Sequence, residues 1–338
     1  MKDRQKRNLN LCVSFLTFSS LVFVYFLQPL YLQSDPLVNK TKNKDFLNLI
    51  ATNMQAENFI QQNKGLIAAG AKLELVAKQF RFTEGPATDK NGNVFFTDQP
   101  NDKIWKYSTD GQLSVFMEKS GRANGLYFDK KGNLLACADE HNQLWSISPQ
   151  GKVNVLLKDF RGKRLNGPND LWLHPKTEAI YFTDPYYQRN YWERKSPDIT
   201  GEKVYFLAKG KTEPVIVDET LKQPNGIIGS PDGKTLYVAD IADNKTYKYD
   251  IKADGSLTNR QLFVMQGSDG MTIDNRGNIY LTGKGVTVYN PAGEKIEHIP
   301  VPANWTGNVT FGGKDRHLLF ITASESVFTL LMQVKGVL

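Results

Sequence analysis

From about residue 72 onward, short apolar runs alternate with polar turn clusters. Val94-Phe-Phe-Thr97, Leu134-Leu-Ala-Cys137, Leu236-Tyr-Val-Ala239 and Ile279-Tyr-Leu-Thr282 each read as an alternating apolar strand. Each follows a turn: Asp89-Lys-Asn-Gly-Asn93, Asp129-Lys-Lys-Gly-Asn133, Pro231-Asp-Gly-Lys234 and Asp274-Asn-Arg-Gly-Asn278. Such turns between β-rich runs predict antiparallel hairpins. A further copy, Ile180-Tyr-Phe-Thr-Asp184, follows the degenerate turn His174-Pro-Lys-Thr177, and another, Leu318-Leu-Phe-Ile-Thr322, follows Gly312-Gly-Lys-Asp315. A second strand follows most units, as in Ile104-Trp-Lys-Tyr107 and Leu144-Trp-Ser-Ile147.

Aspartates that close these strands, Asp98, Asp139, Asp184 and Asp240, are spaced 41, 45 and 56 residues apart. A unit of about 40–45 residues with four short strands is the signature of a propeller blade. Six units fit residues 71–338, which predicts an all-β, six-bladed β-propeller. Leu73-Glu-Leu-Val-Ala-Lys78 is placed to add an outer strand to the last blade and close the ring. No long amphipathic helical pattern interrupts the repeat, which argues against α/β folds.

The N-terminus has a different texture. Residues 1–7 are basic, residues 8–34 carry no charge, and Leu11–Leu27 is apolar apart from Ser14, Thr17, Ser19 and Ser20. This predicts a hydrophobic helix over 1–34, a signal segment or an uncleaved transmembrane anchor. No small-x-small cleavage site follows, which favours the anchor. The basic flank would stay cytoplasmic and the propeller would lie outside it, periplasmic or lumenal, or secreted if the segment is cleaved. Asn-x-Thr sites at Asn39, Asn244, Asn304 and Asn308 are compatible with export. Residues 35–70 read as a polar linker with a short helix around 45–60.

Charge changes little. The net +7 suggests nucleic acid until it is divided along the chain. Residues 1–45 hold seven basic and three acidic residues, a net of +4, so the remainder carries only +3. A nucleic-acid surface concentrates charge on the folded face that meets phosphate, and no such face is implied here. Cys12 and Cys137 supply neither a disulfide framework nor a zinc spacing.

A polar residue recurs at one phase of the repeat: Glu84-Gly-Pro, Asn124-Gly-Leu, Asn169-Asp-Leu, Asn225-Gly-Ile, Asp269-Gly-Met and, more loosely, Asn308-Val-Thr. The separations, 40, 45, 56, 44 and 39 residues, track the blade period. Rotation would bring these positions to the start of each innermost strand, around the central channel. Carboxylate and amide oxygens suit a hard cation such as Ca²⁺. The alternative is that Asn-Gly and Asp-Gly are ordinary turn residues.

Phe82-Thr-Glu-Gly-Pro86, Asn166-Gly-Pro-Asn-Asp-Leu171, Tyr181-Phe-Thr-Asp-Pro185, Gln223-Pro-Asn-Gly226 and Ser268-Asp-Gly270, in this order, resemble the gluconolactonase / senescence-marker-protein / luciferin-regenerating-enzyme-like family. The resemblance covers roughly residues 70–330. It implies a six-bladed propeller with a catalytic divalent metal in the channel, Ca²⁺ first, with Zn²⁺, Mg²⁺ or Mn²⁺ as alternatives. By motif it implies Glu84, Asn225 and Asp269 as metal ligands, and Asn169 as a fourth position touching metal or substrate. Asn124 and Asn308 match no ligand. The segment Tyr186–Thr200 is a long loop in the third blade, either a pocket wall or lid, or a surface loop with no catalytic part.

The activity implied is hydrolysis of a sugar or related lactone, with the metal as Lewis acid, Asp269 orienting or deprotonating water, and Asn169 supporting the site. Arg122 and His141 are outer candidates. No Gly-x-Ser-x-Gly elbow is present. The rival readings are a phosphotriesterase or arylesterase on the same metal site and a non-catalytic exported binding propeller. The partners implied are a small lactone or ester, a membrane through the N-terminus, and neither nucleic acid nor an obligate protein.

Overall fold

The computed structural model describes residues 65–337. The apolar segment over 1–34 and the helix expected around 45–60 lie outside the described residues. Among the described residues, no helix is long and apolar enough to cross a membrane.

Six four-stranded antiparallel sheets are arranged in sequence. The first holds β2 (Thr83–Thr88), β3 (Val94–Asp98), β4 (Lys103–Tyr107) and β5 (Leu113–Glu118). The second holds β6 (Ala123–Phe128), β7 (Leu134–Ala138), β8 (Gln143–Ile147) and β9 (Val153–Leu157). The third holds β10 (Leu171–Leu173), β11 (Ile180–Asp184), β12 (Lys203–Leu207) and β13 (Val215–Asp218). The fourth holds β14 (Pro224–Gly229), β15 (Thr235–Asp240), β16 (Lys245–Ile251) and β17 (Leu257–Val264). The fifth holds β18 (Met271–Ile273), β19 (Ile279–Gly283), β20 (Gly285–Tyr289) and β21 (Lys295–Ile299). The last holds β22 (Asn308–Gly312), β23 (Leu318–Ala323) and β24 (Ser326–Leu331), completed by β1 (Glu74–Ala77). This is a six-bladed β-propeller.

The ring closes as the sequence predicts: β1 runs antiparallel to β24, with Glu74 opposite Thr329 and Leu75 opposite Phe328. Of the segment expected as a linker, residues 35–64 lie outside the described residues; Leu66 is buried in the last blade's core and Ile67 bridges to Met332, so this part of it rests on the propeller.

The recurring turns form for a local reason. In Asp89-Lys-Asn-Gly-Asn93, Asp89 Oδ1 accepts the Asn91 and Asn93 N–H groups, both at 2.9 Å, and Asn93 Nδ2 donates to Oδ2 at 2.8 Å. The copies at Asp129 and Asp274 repeat these bonds. Gly92, Gly132 and Gly277 take φ of 91°, 85° and 80°, which the tight return requires.

The second strands β3, β7, β11 and β19 are buried at every position. Each is covered by the neighbouring blade on either side, so its polar-looking positions are enclosed too. The core accordingly lies between blades: Leu135, Cys137 and Leu144 of the second pack against Leu171, Phe182 and Tyr205 of the third. Phe96 of the first blade meets Phe320 of the last at 5.4 Å between ring centroids, sealing the closure.

Candidate functional site in the central channel

The inner strands β2, β6, β10, β14, β18 and β22 approach one another across blade boundaries. Gly125 N–H donates to Asn169 O at 2.7 Å, and Gly270 N–H donates to Gly307 O at 2.8 Å. Glycine follows the polar residue because the next blade occupies the space of a side chain. A Cβ on Gly85 would stand 2.0 Å from Asn124 O, and one on Gly226 2.8 Å from Asp269 O. Gly125, Gly226 and Gly270 do not have positive φ, so the Asn-Gly and Asp-Gly pairs are not turns here. That removes the turn-residue alternative. Gly85→Ala, with backbone oxygen in the way and φ of 39°, is expected to cost at least about 3 kcal/mol, read as a lowered urea midpoint. An unchanged midpoint would contradict this packing.

Glu84 on β2 and Asn225 on β14 are each 2% exposed, and Asn124, Asn169 and Asn308 are also buried. Asp269, two residues before β18, keeps part of its surface open. Glu84 and Asp269 stand within hydrogen-bonding reach of each other. Asn308 Nδ2 donates to Glu84 Oε2 at 3.2 Å and approaches Asp170 Oδ2 at 3.4 Å. The structure thus unites Glu84, Asn225 and Asp269 and adds Asn308. Asn169 lies on the same ring, but its side chain has no hydrogen bond among the described residues; its neighbour Asp170 points to Asn308 instead.

Burial pushes all three carboxyls up. Glu84 is raised well above its ordinary value, by burial first and then by the Asp269 charge. Asp269 is also raised by burial, against the hydrogen bonds from Trp305 and Asn225. Burial raises Asp170 to about 7. Three carboxyls crowded at low dielectric repel as anions unless a cation or proton sits among them.

The loop between β11 and β12 forms a wall of this site. Tyr187 Oη accepts a hydrogen bond from Asn225 Nδ2 at 3.0 Å. The loop is held as a strap by the second blade: Arg189 Nε donates to Asp139 Oδ2 at 3.0 Å, Tyr191 Oη donates to the same carboxylate, and Trp192 Nε1 donates to Asp139 O at 3.2 Å. Asp139 is free to do this because it has left the role of its counterparts. Asp98, Asp184 and Asp240 each accept two backbone N–H groups entering their own inner strand. In the second blade Asp102 takes the Arg122 N–H instead, at 2.7 Å. Arg122 itself lies 4.7 Å from the Tyr191 ring centre and supports the strap. His141 is an exposed residue stacked on Trp145.

Trp305, before β22, carried no signal in the sequence, yet its Nε1 donates to Asp269 Oδ2 at 2.6 Å. Asp170 was visible only as the partner of Asn169 in a motif. Beyond the ring the channel widens into a cavity of about 810 Å³, lined by Leu126, Leu171, Ile227, Met271 and Val309. Asp170 and Asn308 reach it, whereas Glu84, Asn225 and Asp269 do not, so those donors serve the end covered by the strap.

The donor set fits a hard divalent cation. Among the described residues no three His, Cys, Asp or Glu side chains form a metal cluster. The set is mixed, combining carboxylates with amides, and such oxygens are what Ca²⁺ takes. Asn225 Oδ1 is buried and has no hydrogen-bond partner, an unmet acceptor that a cation would satisfy.

Residues 82–325 match the SMP-30/gluconolactonase/LRE-like region. The chain is 30% identical to the gluconolactonase of Zymomonas mobilis over 303 residues, covering 80% of this chain and 84% of that one. It is 33% identical to the 6-deoxy-6-sulfogluconolactonase of Pseudomonas putida over 110 residues, 30% of this chain and 38% of that one. The solved gluconolactonase of Xanthomonas campestris superposes with a TM-score of 0.73 at 27% identity, covering 79% of this chain and 91% of that one. Six blades, the phased polar ring and these matches agree: the chain belongs to the SMP-30/gluconolactonase/LRE-like family.

Proposed function

We propose that this protein opens a sugar lactone at the strap-covered end of its channel, with a divalent cation, Ca²⁺ by donor chemistry, held by Glu84, Asn169, Asn225 and Asp269. It is a lactonase-type hydrolase, as its gluconolactonase relatives are. The observation that carries the cation is the pair of buried carboxyls, Glu84 and Asp269, that share one space, with Asn225 beside Asp269 and its Oδ1 buried without a partner. When bound, such an ion supplies a Lewis acid for the oxyanion that develops at the lactone carbonyl.

The chain's own groups do the rest. Trp305 holds Asp269 Oδ2, which leaves Oδ1 to accept a proton from water attacking the ester carbon. Asn308 holds Glu84 in place. The Tyr187 phenol is pushed up by burial and then by the Asp269 charge, so it keeps its proton and can donate it to a substrate oxygen.

The test is a substrate panel on the full-length protein: aldonolactones of several ring sizes and an aryl phosphotriester, with Ca²⁺ and after chelation. Lactone turnover should exceed phosphotriester turnover, vanish on chelation and return with Ca²⁺. Lactone turnover indifferent to chelation would sink the cation. Phosphotriester turnover above every lactone would move the assignment to that ester class.

A further inference from the structure

The far end of the channel differs in chemistry from the end under the strap. Its cavity of about 810 Å³ lies within the roughly 300–1,000 Å³ of small-molecule sites. Besides the aliphatic floor, it opens sideways between the first two blades onto Phe95, Phe116 and Phe128. Phe95 meets the other two edge to face, with ring centroids 5.0 and 5.1 Å apart. Such walls suit an apolar body rather than a polyol.

The rim beside these rings is basic. Lys90, Lys106, Lys130, Lys131 and Arg316 line it. Among the described residues, none of the five takes part in a salt bridge. The neighbouring acids are already occupied: Asp89 and Asp129 each accept two turn N–H groups and an asparagine Nδ2. Lys106 Nζ stands 5.8 Å from the Phe95 ring centre. Arg316 is held in a left-handed backbone conformation, φ 60°, by its N–H bond to Gly313 O at 3.1 Å. Its half-buried guanidinium donates to Asp89 O at 3.0 Å, its one hydrogen bond to protein among the described residues. Burial pulls the Arg316 pKa down, a penalty on the charge that an anion beside it would offset.

We propose that this end of the channel binds an apolar monocarboxylate, its hydrocarbon body against the floor and the phenylalanines and its carboxylate at Arg316 and Lys106. The site is separate from Glu84, Asn225 and Asp269, and neither a cation nor a lactone enters into it.

The experiment is calorimetric titration of octanoate, decanoate and octanamide into the Ca²⁺-free full-length protein. Octanoate should saturate one site per chain, and decanoate, with two more methylenes to bury, should bind about tenfold tighter. Octanamide has the same body with a neutral head and should bind at least about tenfold more weakly than octanoate. Arg316→Gln and Lys106→Gln should each weaken both acids about fivefold or more. The ratio of decanoate to octanoate affinity should stay as in the wild type, which separates a lost charge contact from a damaged cavity. Lys106→Gln carries the test if Arg316→Gln, which also loses the Asp89 contact, fails to fold. Octanamide binding as tightly as octanoate overturns the charged head. Acid affinity untouched by these substitutions overturns the site, as does the absence of saturable uptake of either acid by the wild type.

Discussion

Asp269→Asn is expected to lower lactone turnover by about 10²- to 10⁴-fold, the usual contribution of a positioned general base. The substitution is nearly isosteric, and the asparagine oxygen can still accept the Trp305 Nε1–H that Asp269 accepts now. What is lost is a negative charge facing the proposed cation position and the oxygen proposed to take the proton. Glu84→Gln should also be severe, because it removes charge from the same site while Asn308 keeps an oxygen to bind. Neither variant should unfold the protein. Each relieves the mutual repulsion that helps push Glu84 up, so the Ca²⁺-free thermal midpoint should hold or rise. Loss of activity with gain of stability is the pattern expected of a site strained for function. Steady-state kinetics at saturating Ca²⁺, paired with calorimetry, tests both halves. Full activity in both variants would end the assignment of these residues to the chemistry.

The second large effect is on stability itself. Glu84, Asp170 and Asp269 have ordinary values of 4.5, 3.8 and 3.8, and all three are raised in the folded protein. The folded state therefore binds these protons more tightly than the unfolded state. Their stabilising protonation is fully present below about pH 4 and is lost as pH rises through the folded values, to about 7 for Asp170. In Ca²⁺-free protein this set makes stability fall between about pH 4 and 7.

Calcium should cancel the fall by replacing the protons. At 100 times its dissociation constant it adds about 2.7 kcal/mol at pH 7.5. For a domain of this size that is a rise of about 5–10 °C in midpoint. Other carboxylates also titrate, so the informative quantity is the difference between wild type and Glu84→Gln. The variant should show a shallower decline without Ca²⁺ and a smaller response to it. Parallel pH profiles, with no Ca²⁺ response in the wild type, would contradict the crowded-carboxyl account.

Much of the fold was legible because its determinants are local. Asp89, Asp129 and Asp274 bind backbone and asparagine within four residues of themselves, so the turn chemistry is written in contiguous sequence. A repeated local unit has a period, and the period predicts the blades. Closure by β1 was also visible, since a strand-forming segment stood before the first blade with no other partner. The sharing of middle strands between two neighbours was not, because an alternating pattern describes one covered face and a propeller covers both.

The site divides the same way. Sequence by itself determined the phase at which Glu84, Asn169, Asn225 and Asp269 recur, and hence that they would face one channel. Only the tertiary structure decided how they are held. Asn308 reaches Glu84 across 224 residues of chain, and Trp305 and Tyr187 approach Asp269 and Asn225 from loops outside the repeat. Asp139 looks like its counterparts in sequence, yet it anchors the strap because Asp102 has taken over its backbone partner. The physical reason is that a side-chain hydrogen bond across the ring depends on where closure and the strap place its partner, and that distance has no period along the chain.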